Sequence, residues 1–142
     1  MDPLKGQRVV ILGLARQGSA FARFAAEKGA AVVISDLRPA ERLQAAMAAL
    51  ADLDITYVLG EHPLTLLEGT DLLAVSGGVP LSASIVVAAR ERGIPLTNDS
   101  LEFLHRTPAP VIGITGSAGK TTTTALTGLM GRRSERRTWV GG

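Results

Sequence analysis

The sequence predicts an α/β chain, with a doubly wound parallel sheet over residues 1–106, a linker at 107–110 and the start of a second α/β unit at 111–142. Three observations carry this. Short Val/Ile/Leu runs alternate with Ala/Leu-rich stretches, as strands and helices do in βαβ units. Several of the runs stop at Gly or Asp, where a strand turns into a loop. Two prolines in three residues, Pro108 and Pro110, interrupt the alternation, and neither suits a helix interior or a central strand.

The elements follow in order. Arg8–Leu12 is a buried strand ended by Gly13. Ser19–Lys28 is a helix, stopped by Gly29. Ala31–Ser35 is the second strand, closed by Asp36, and Ala40–Ala51 is the second helix. Ile55–Leu59 is the third strand, with a turn of helix around Pro63–Glu68. Leu72–Val75 is the fourth strand, leading into the loop Ser76–Pro80. A helix over Ser84–Arg92 and a weak strand at Pro95–Thr97 complete the first unit. After the linker come a strand at Val111–Thr115, a Gly-rich loop and a helix over Lys120–Met130. One βα unit cannot bury both its faces, so residues 111–142 read as the truncated opening of a larger domain.

Composition narrows the function classes. Hydrophobic residues make up 46% of the 142 residues and aromatics only 4%, so the core must be aliphatic. Fifteen basic residues against thirteen acidic ones argue against bulk nucleic-acid binding. The basic cluster Arg132, Arg133, Arg136 and Arg137 reads as a solvated helix end. The absence of cysteine excludes disulfides and thiolate metal sites. The Val9–Leu12 run is too short for a signal or membrane segment, so a soluble, cytoplasmic protein with no membrane role is expected. His62 and His105 stand alone and read as structural or surface residues.

Two glycine loops carry the chemistry. The first, Gly13-Leu14-Ala15-Arg16-Gln17-Gly18, follows a strand and opens a helix. Gly13 permits the turn, Ala15 still lets a ligand approach the backbone, and Gly18 allows close helix–strand packing. N–H groups at a helix start suit a diphosphate. Asp36, 18 residues after Gly18, stands where a dinucleotide site binds a ribose hydroxyl. This Rossmann-like pattern points to a diphosphate nucleotide without choosing among them.

The second loop, Thr115-Gly116-Ser117-Ala118-Gly119-Lys120-Thr121-Thr122, is the more specific. Its backbone N–H groups form an anion nest, Lys120 is a point charge for the β- and γ-phosphates, and the Thr121 hydroxyl suits Mg²⁺. Gly116 lies nearer to Gly119 than in the common phosphate loop, whose first Gly position Ile114 fills here. This short form is similar to the loop of Mur ligases and folylpolyglutamate synthetases.

Over its whole length the chain resembles the Mur ligases, and within them the D-glutamate-adding branch. The first loop, the strand-end Asp36 and the loop at Ser76 carry that finer likeness, and Asn98–Phe103 resembles the end of the family's first domain. The resemblance implies a Rossmann-like UDP-binding domain, then an ATPase domain opening with the phosphate loop. It implies UDP-N-acetylmuramoyl-L-alanine, D-glutamate and ATP as substrates, with Mg²⁺ as cofactor, and a monomer. Leu14, Ala15, Arg16, Gln17 and Gly18 would hold the UDP diphosphate. Asp36 and Leu37 would lie at the uracil with Arg38 nearby, and Ser76, Gly77 and Gly78 would face the uridine. Gly116, Ser117, Ala118, Gly119, Lys120, Thr121 and Thr122 would bind ATP, with Lys120 catalytic and Thr121 on Mg²⁺.

Two positions depart from the family's pattern. Gly77 replaces the usual Pro and Ala118 the usual Asn; the second change costs a side-chain amide but no backbone donor. The implied reaction passes the γ-phosphoryl to a carboxylate, and the amine then displaces phosphate from the acyl phosphate. The family's further metal ligands and D-glutamate site lie beyond residue 142, so the chain alone is expected to be inactive. Two other readings stay open: a sister ligase adding another amino acid, and an NAD(P)-binding oxidoreductase domain, which would have no need of the second loop.

Overall fold

The structure, a computed structural model, describes residues 2–141. It divides into two compact units, one ending at Arg106 and one starting at Thr107.

The first unit is a five-stranded, all-parallel sheet in the order β3-β2-β1-β4-β5. The strands are β1 (Arg8–Leu12), β2 (Ala31–Asp36), β3 (Ile55–Leu59), β4 (Leu72–Val75) and β5 (Leu96–Thr97). The expected α/β fold of parallel strands and crossover helices is what forms. Side chains alternate across a strand, so β1 feeds two cores. Val9 and Ile11 join Phe21, Ala22 and Ala25 of α1 (Arg16–Glu27) on one face. Val10 and Leu12 join Ile85, Val86 and Ala89 of α3 (Ser84–Glu91) on the other. A central strand buried on both faces reads as an unbroken apolar run, which is why β1 was visible in the sequence.

Three boundaries differ from expectation. α1 starts at Arg16 rather than Ser19, so Arg16, Gln17 and Gly18 form its first turn instead of a loop. The expected helix over Ala40–Ala51 is broken into a 3-10 turn at Ala40–Arg42 and a five-residue α2 (Gln44–Ala48). Neither piece has a side-chain cap, and so short a helix has little stability of its own. Leu43 and Leu50, both buried, anchor the segment instead. Third, Asn98–Phe103, read only as a family likeness, leads into and forms most of α4 (Asp99–Arg106), with Asn98 Oδ1 accepting the Leu101 N–H at 2.8 Å.

α4 is stapled to α1. The Arg106 guanidinium stacks 5.3 Å from the Phe24 ring centre, bonds Glu102 at 2.9 Å and reaches Asp2 at 3.6 Å.

The second unit has one regular element, α5 (Lys120–Arg133). The expected strand at Val111–Thr115 does not form. A strand needs a neighbour for its N–H and C=O groups, and among the described residues none pairs with this segment. Val111 and Ile112 are accordingly 48% and 73% exposed. Past α5 the chain doubles back through Glu135, whose φ is +58°. Thr138 and Val140 then lie against Gly131 and Gly128 so closely that a Cβ at either glycine would collide with them. Arg132, Arg133, Arg136 and Arg137 are exposed, with Arg137 over the Trp139 ring at 5.6 Å. No helix among the described residues is long and apolar enough to cross a membrane.

Candidate nucleotide site

In a parallel sheet the crevice for a ligand opens at the carboxyl ends of the strands where the order reverses. Here that point lies between β1 and β4, whose neighbouring ends are Leu12 and Val75. Gly13 and Ser76 follow them directly, so the topology brings the first glycine loop and the Ser76 loop face to face.

The two loops are tied together. The Ser76 N–H donates to Leu12 O at 3.1 Å, and the Ser76 hydroxyl donates to Gly13 O at 3.2 Å. Gly13, at φ +93°, makes a turn that a side chain would strain, and its N–H donates to Ser35 O at 2.7 Å. A Cβ on Gly18 would collide with the Gly13 carbonyl oxygen, so only glycine lets α1 start this close to β1. A Cβ on Gly77 would come 3.2 Å from Gln17 Oε1, which puts the Gln17 side chain against the facing loop. A small depression between them is lined by Gln17, Gly18, Ser76, Asn98 and Asp99 over a floor that includes Ile11 and Val75. Asn98 and Asp99 were not among the expected ligand residues, and their entry reflects the pairing of β5 beside β4.

α1 starts without a side-chain cap and with no acid in its first turn. Its first N–H groups and the positive end of its dipole therefore remain open to an anion. Ala15, Arg16 and Gln17 are exposed there. Leu14 behaves differently. Its side chain is buried in the core, its N–H goes to Asp36 Oδ2 at 2.7 Å, and its carbonyl takes Arg38 Nη2 at 3.1 Å. In this structure its N–H is committed to Asp36 rather than open to a diphosphate.

Asp36 is 5% exposed, and both its oxygens are occupied. Oδ1 accepts the Arg38 N–H and Nε at 2.9 Å each, and Oδ2 accepts Leu14 N and Arg38 Nη2 at 2.7 Å each. The Arg38 side-chain bonds pull its pKa well below the carboxylate range; burial opposes this, and the Arg38 and Leu14 N–H groups assist it. A depressed folded pKa contributes stability above the unfolded value of about 3.9 that is lost as the pH falls. Asp36→Asn is expected to cost about 2–3 kcal/mol at neutral pH. Melting curves should show this, together with a flatter acid limb below about pH 4 than in the wild type.

Leu37, 64% exposed, and the half-exposed Arg38 side chain lie beside this carboxylate. In the loop after β3, His62, read as a structural or surface residue, has a partner. Its Nδ1 lies 2.7 Å from the buried Ser35 hydroxyl, which also contacts Glu61 O at 2.9 Å. Nothing in the sequence signalled this pair, 27 residues apart. His105 is exposed on α4.

In the second unit, residues 116–122 are exposed. Gly119, at φ +77°, precedes the first turn of α5, which again has neither side-chain cap nor acid. Lys120 Nζ donates across the loop to Gly116 O at 2.5 Å. Thr121 follows in the first turn. No group of three or more His, Cys, Asp or Glu able to hold a metal occurs among the described residues. A lone hydroxyl fits Mg²⁺, which keeps most of its waters and takes phosphate oxygens.

The sheet unit with the first glycine loop has a counterpart among known proteins. Residues 7–98 match the Mur ligase MurD-like N-terminal domain family. The chain belongs to the MurD-like Mur ligases. Among curated relatives of this Mur ligase chain, the UDP-N-acetylmuramoylalanine–D-glutamate ligase of Anaeromyxobacter dehalogenans is 45% identical over 98% of the chain. The enzyme of the same name from Syntrophotalea carbinolica is 39% identical over all of it. The chain spans about 30% of the length of these relatives. A pseudomurein peptide ligase type C from Methanothermus fervidus is similar in structure (TM-score 0.59, 27% identity), over 84% of this chain and 24% of that one. The murein peptide ligase of Psychrobacter arcticus, at 21% identity, shares the fold (TM-score 0.55) over 92% of this chain and 27% of its own.

Proposed function

We propose that this chain is the N-terminal part of a cytoplasmic, ATP-dependent ligase that adds D-glutamate to UDP-N-acetylmuramoyl-L-alanine. Residues 1–106 bind the UDP moiety, 107–110 link, and 111–142 open the ATP-binding domain. The observation that carries the reading is the uncapped, acid-free start of α1 at the switch point, facing the Ser76 loop. Such a site favours a diphosphate. The relatives' names supply the choice of nucleotide and amino acid.

In this reading Ala15–Gly18 hold the diphosphate through backbone N–H groups, and Ser76, Gly77 and Gly78 close on the uridine. Asp36, saturated by its own neighbours, shapes the Leu14 turn and directs Arg38 and Leu37 toward the base. The loop Gly116–Thr122 cradles the phosphates of ATP. Lys120 releases Gly116 O and turns its ammonium to the transferring γ-phosphoryl, where it offsets developing charge. The γ-phosphoryl passes to the acceptor carboxylate, because oxide is too poor a leaving group to be displaced directly. The amine nitrogen of D-glutamate attacks the acyl phosphate carbon, and inorganic phosphate leaves. Thr121 would hold Mg²⁺, which when bound neutralises phosphate charge.

The test is titration calorimetry with UDP and NAD⁺ on residues 1–142. UDP is expected to bind more tightly. Micromolar NAD⁺ binding with no heat from UDP would reverse the assignment in favour of an oxidoreductase domain.

A further inference from the structure

We propose that His62 reads the nucleoside: its Nε2 accepts a hydrogen bond from a donor of the bound nucleotide, either the imide N–H of the base or a ribose hydroxyl. The inference deepens the UDP reading and rests on it.

The argument is a proton count. The Ser35 hydroxyl carries a single proton and has two contacts, Glu61 O at 2.9 Å and His62 Nδ1 at 2.7 Å. A carbonyl can only accept, so the Ser35 proton goes to Glu61 O. For both contacts to be hydrogen bonds, Nδ1 must then donate to Ser35 Oγ. This fixes the tautomer of the neutral ring and leaves Nε2 as a bare acceptor. Nε2 has no hydrogen-bond partner among the described residues and is not fully buried, on a ring of intermediate exposure. Burial lowers the His62 pKa and favours the neutral ring, while the charge of Asp36 works the other way.

Position supplies the ligand. In nucleotide sites of this topology an acid at the end of the second strand takes a ribose hydroxyl. Here that acid, Asp36, already receives four N–H donors, from Leu14 and Arg38. The neighbouring strand ends beside it, with Asp36 in register with Leu59 and the Gly60 N–H donating to Asp36 O at 2.8 Å. His62 follows two residues later, pinned to β2 by Ser35. It is an oriented acceptor at the same carboxyl edge, with its lone pair unspent.

Calorimetry at pH 8 on residues 1–142, wild type, His62→Phe and His62→Gln, with UDP, 2′-deoxy-UDP, 3′-deoxy-UDP and CDP, tests this. The wild type should prefer UDP to at least one analogue by about fivefold or more, the worth of one hydrogen bond. His62→Phe should lose that preference and bind UDP correspondingly less tightly, while His62→Gln, which keeps an acceptor, should retain part of it. Parity with a deoxy analogue in the Phe variant identifies the hydroxyl as the donor; parity with CDP identifies the imide. Undiminished UDP binding by a folded His62→Phe, or equal binding of all four nucleotides by the wild type, overturns the inference alone. Absence of UDP binding in the wild type overturns the nucleotide reading and this inference with it.

Discussion

Gly18→Ala is expected to lower the melting temperature by about 10–20 °C and to abolish UDP binding. The added Cβ would fall on the Gly13 carbonyl oxygen. That oxygen is backbone, held at the end of β1 and bonded by the Ser76 hydroxyl, so it cannot swing aside as a side chain would. Either α1 lifts off the sheet or the Gly13 turn opens, and both movements disturb the core around Phe21 and Ala22. Forcing a methyl into a packed site costs about 2–3 kcal/mol, and in a unit of this size each kcal/mol is worth about 4–8 °C. Gly78→Ala is the control, since a Cβ there meets nothing within 4 Å. Its melting temperature should match the wild type. Equal melting of the Gly18 and Gly78 variants would show that α1 tolerates the displacement that an added Cβ at Gly18 demands.

Lys120→Ala is expected to reduce phosphate release at least about a hundredfold in a full-length ligase carrying this segment. Removing an oriented donor from developing charge costs roughly 3 kcal/mol or more. The assay contains UDP-N-acetylmuramoyl-L-alanine, D-glutamate and ATP. UDP binding by the same variant should be unchanged, because Lys120 belongs to the second unit and the proposed UDP site to the first. Unchanged turnover would remove Lys120 from the machinery. A parallel loss of UDP binding would point to a folding defect instead.

How much was legible in the sequence depended on whether the signal was local. β1 to β4 were read to within a residue, because buried parallel strands are unbroken apolar runs with glycine or acid at their ends. The start of α1 was misplaced because Ala15-Arg16-Gln17 contains none of the usual capping residues. That same lack of a cap leaves the helix start open to a ligand, so the misreading and the proposed function have one cause. Val111–Thr115 has a strand's composition, yet a strand exists only with a partner, and composition cannot supply one. At the site, the strand-end acid was visible, but its saturation by Arg38 was not. Ser35 and His62 are brought together by the β2–β3 pairing, and no spacing rule announces them.

The contact between Asp2 and Arg106 closes the first unit on itself, with its entry and exit an ion pair apart. A module whose two ends meet can be excised, inserted into a host loop or circularly permuted without stretching its interior, because a short bridge suffices to rejoin it. The Arg106 side chain performs this closure while covering Phe24, so the join is also part of the packing. A permuted version that begins in the exposed turn at Gly69 and bridges the old ends should keep the sheet order intact. The proposed nucleotide recognition would then be a portable property of these residues, independent of whatever catalytic partner they are fused to.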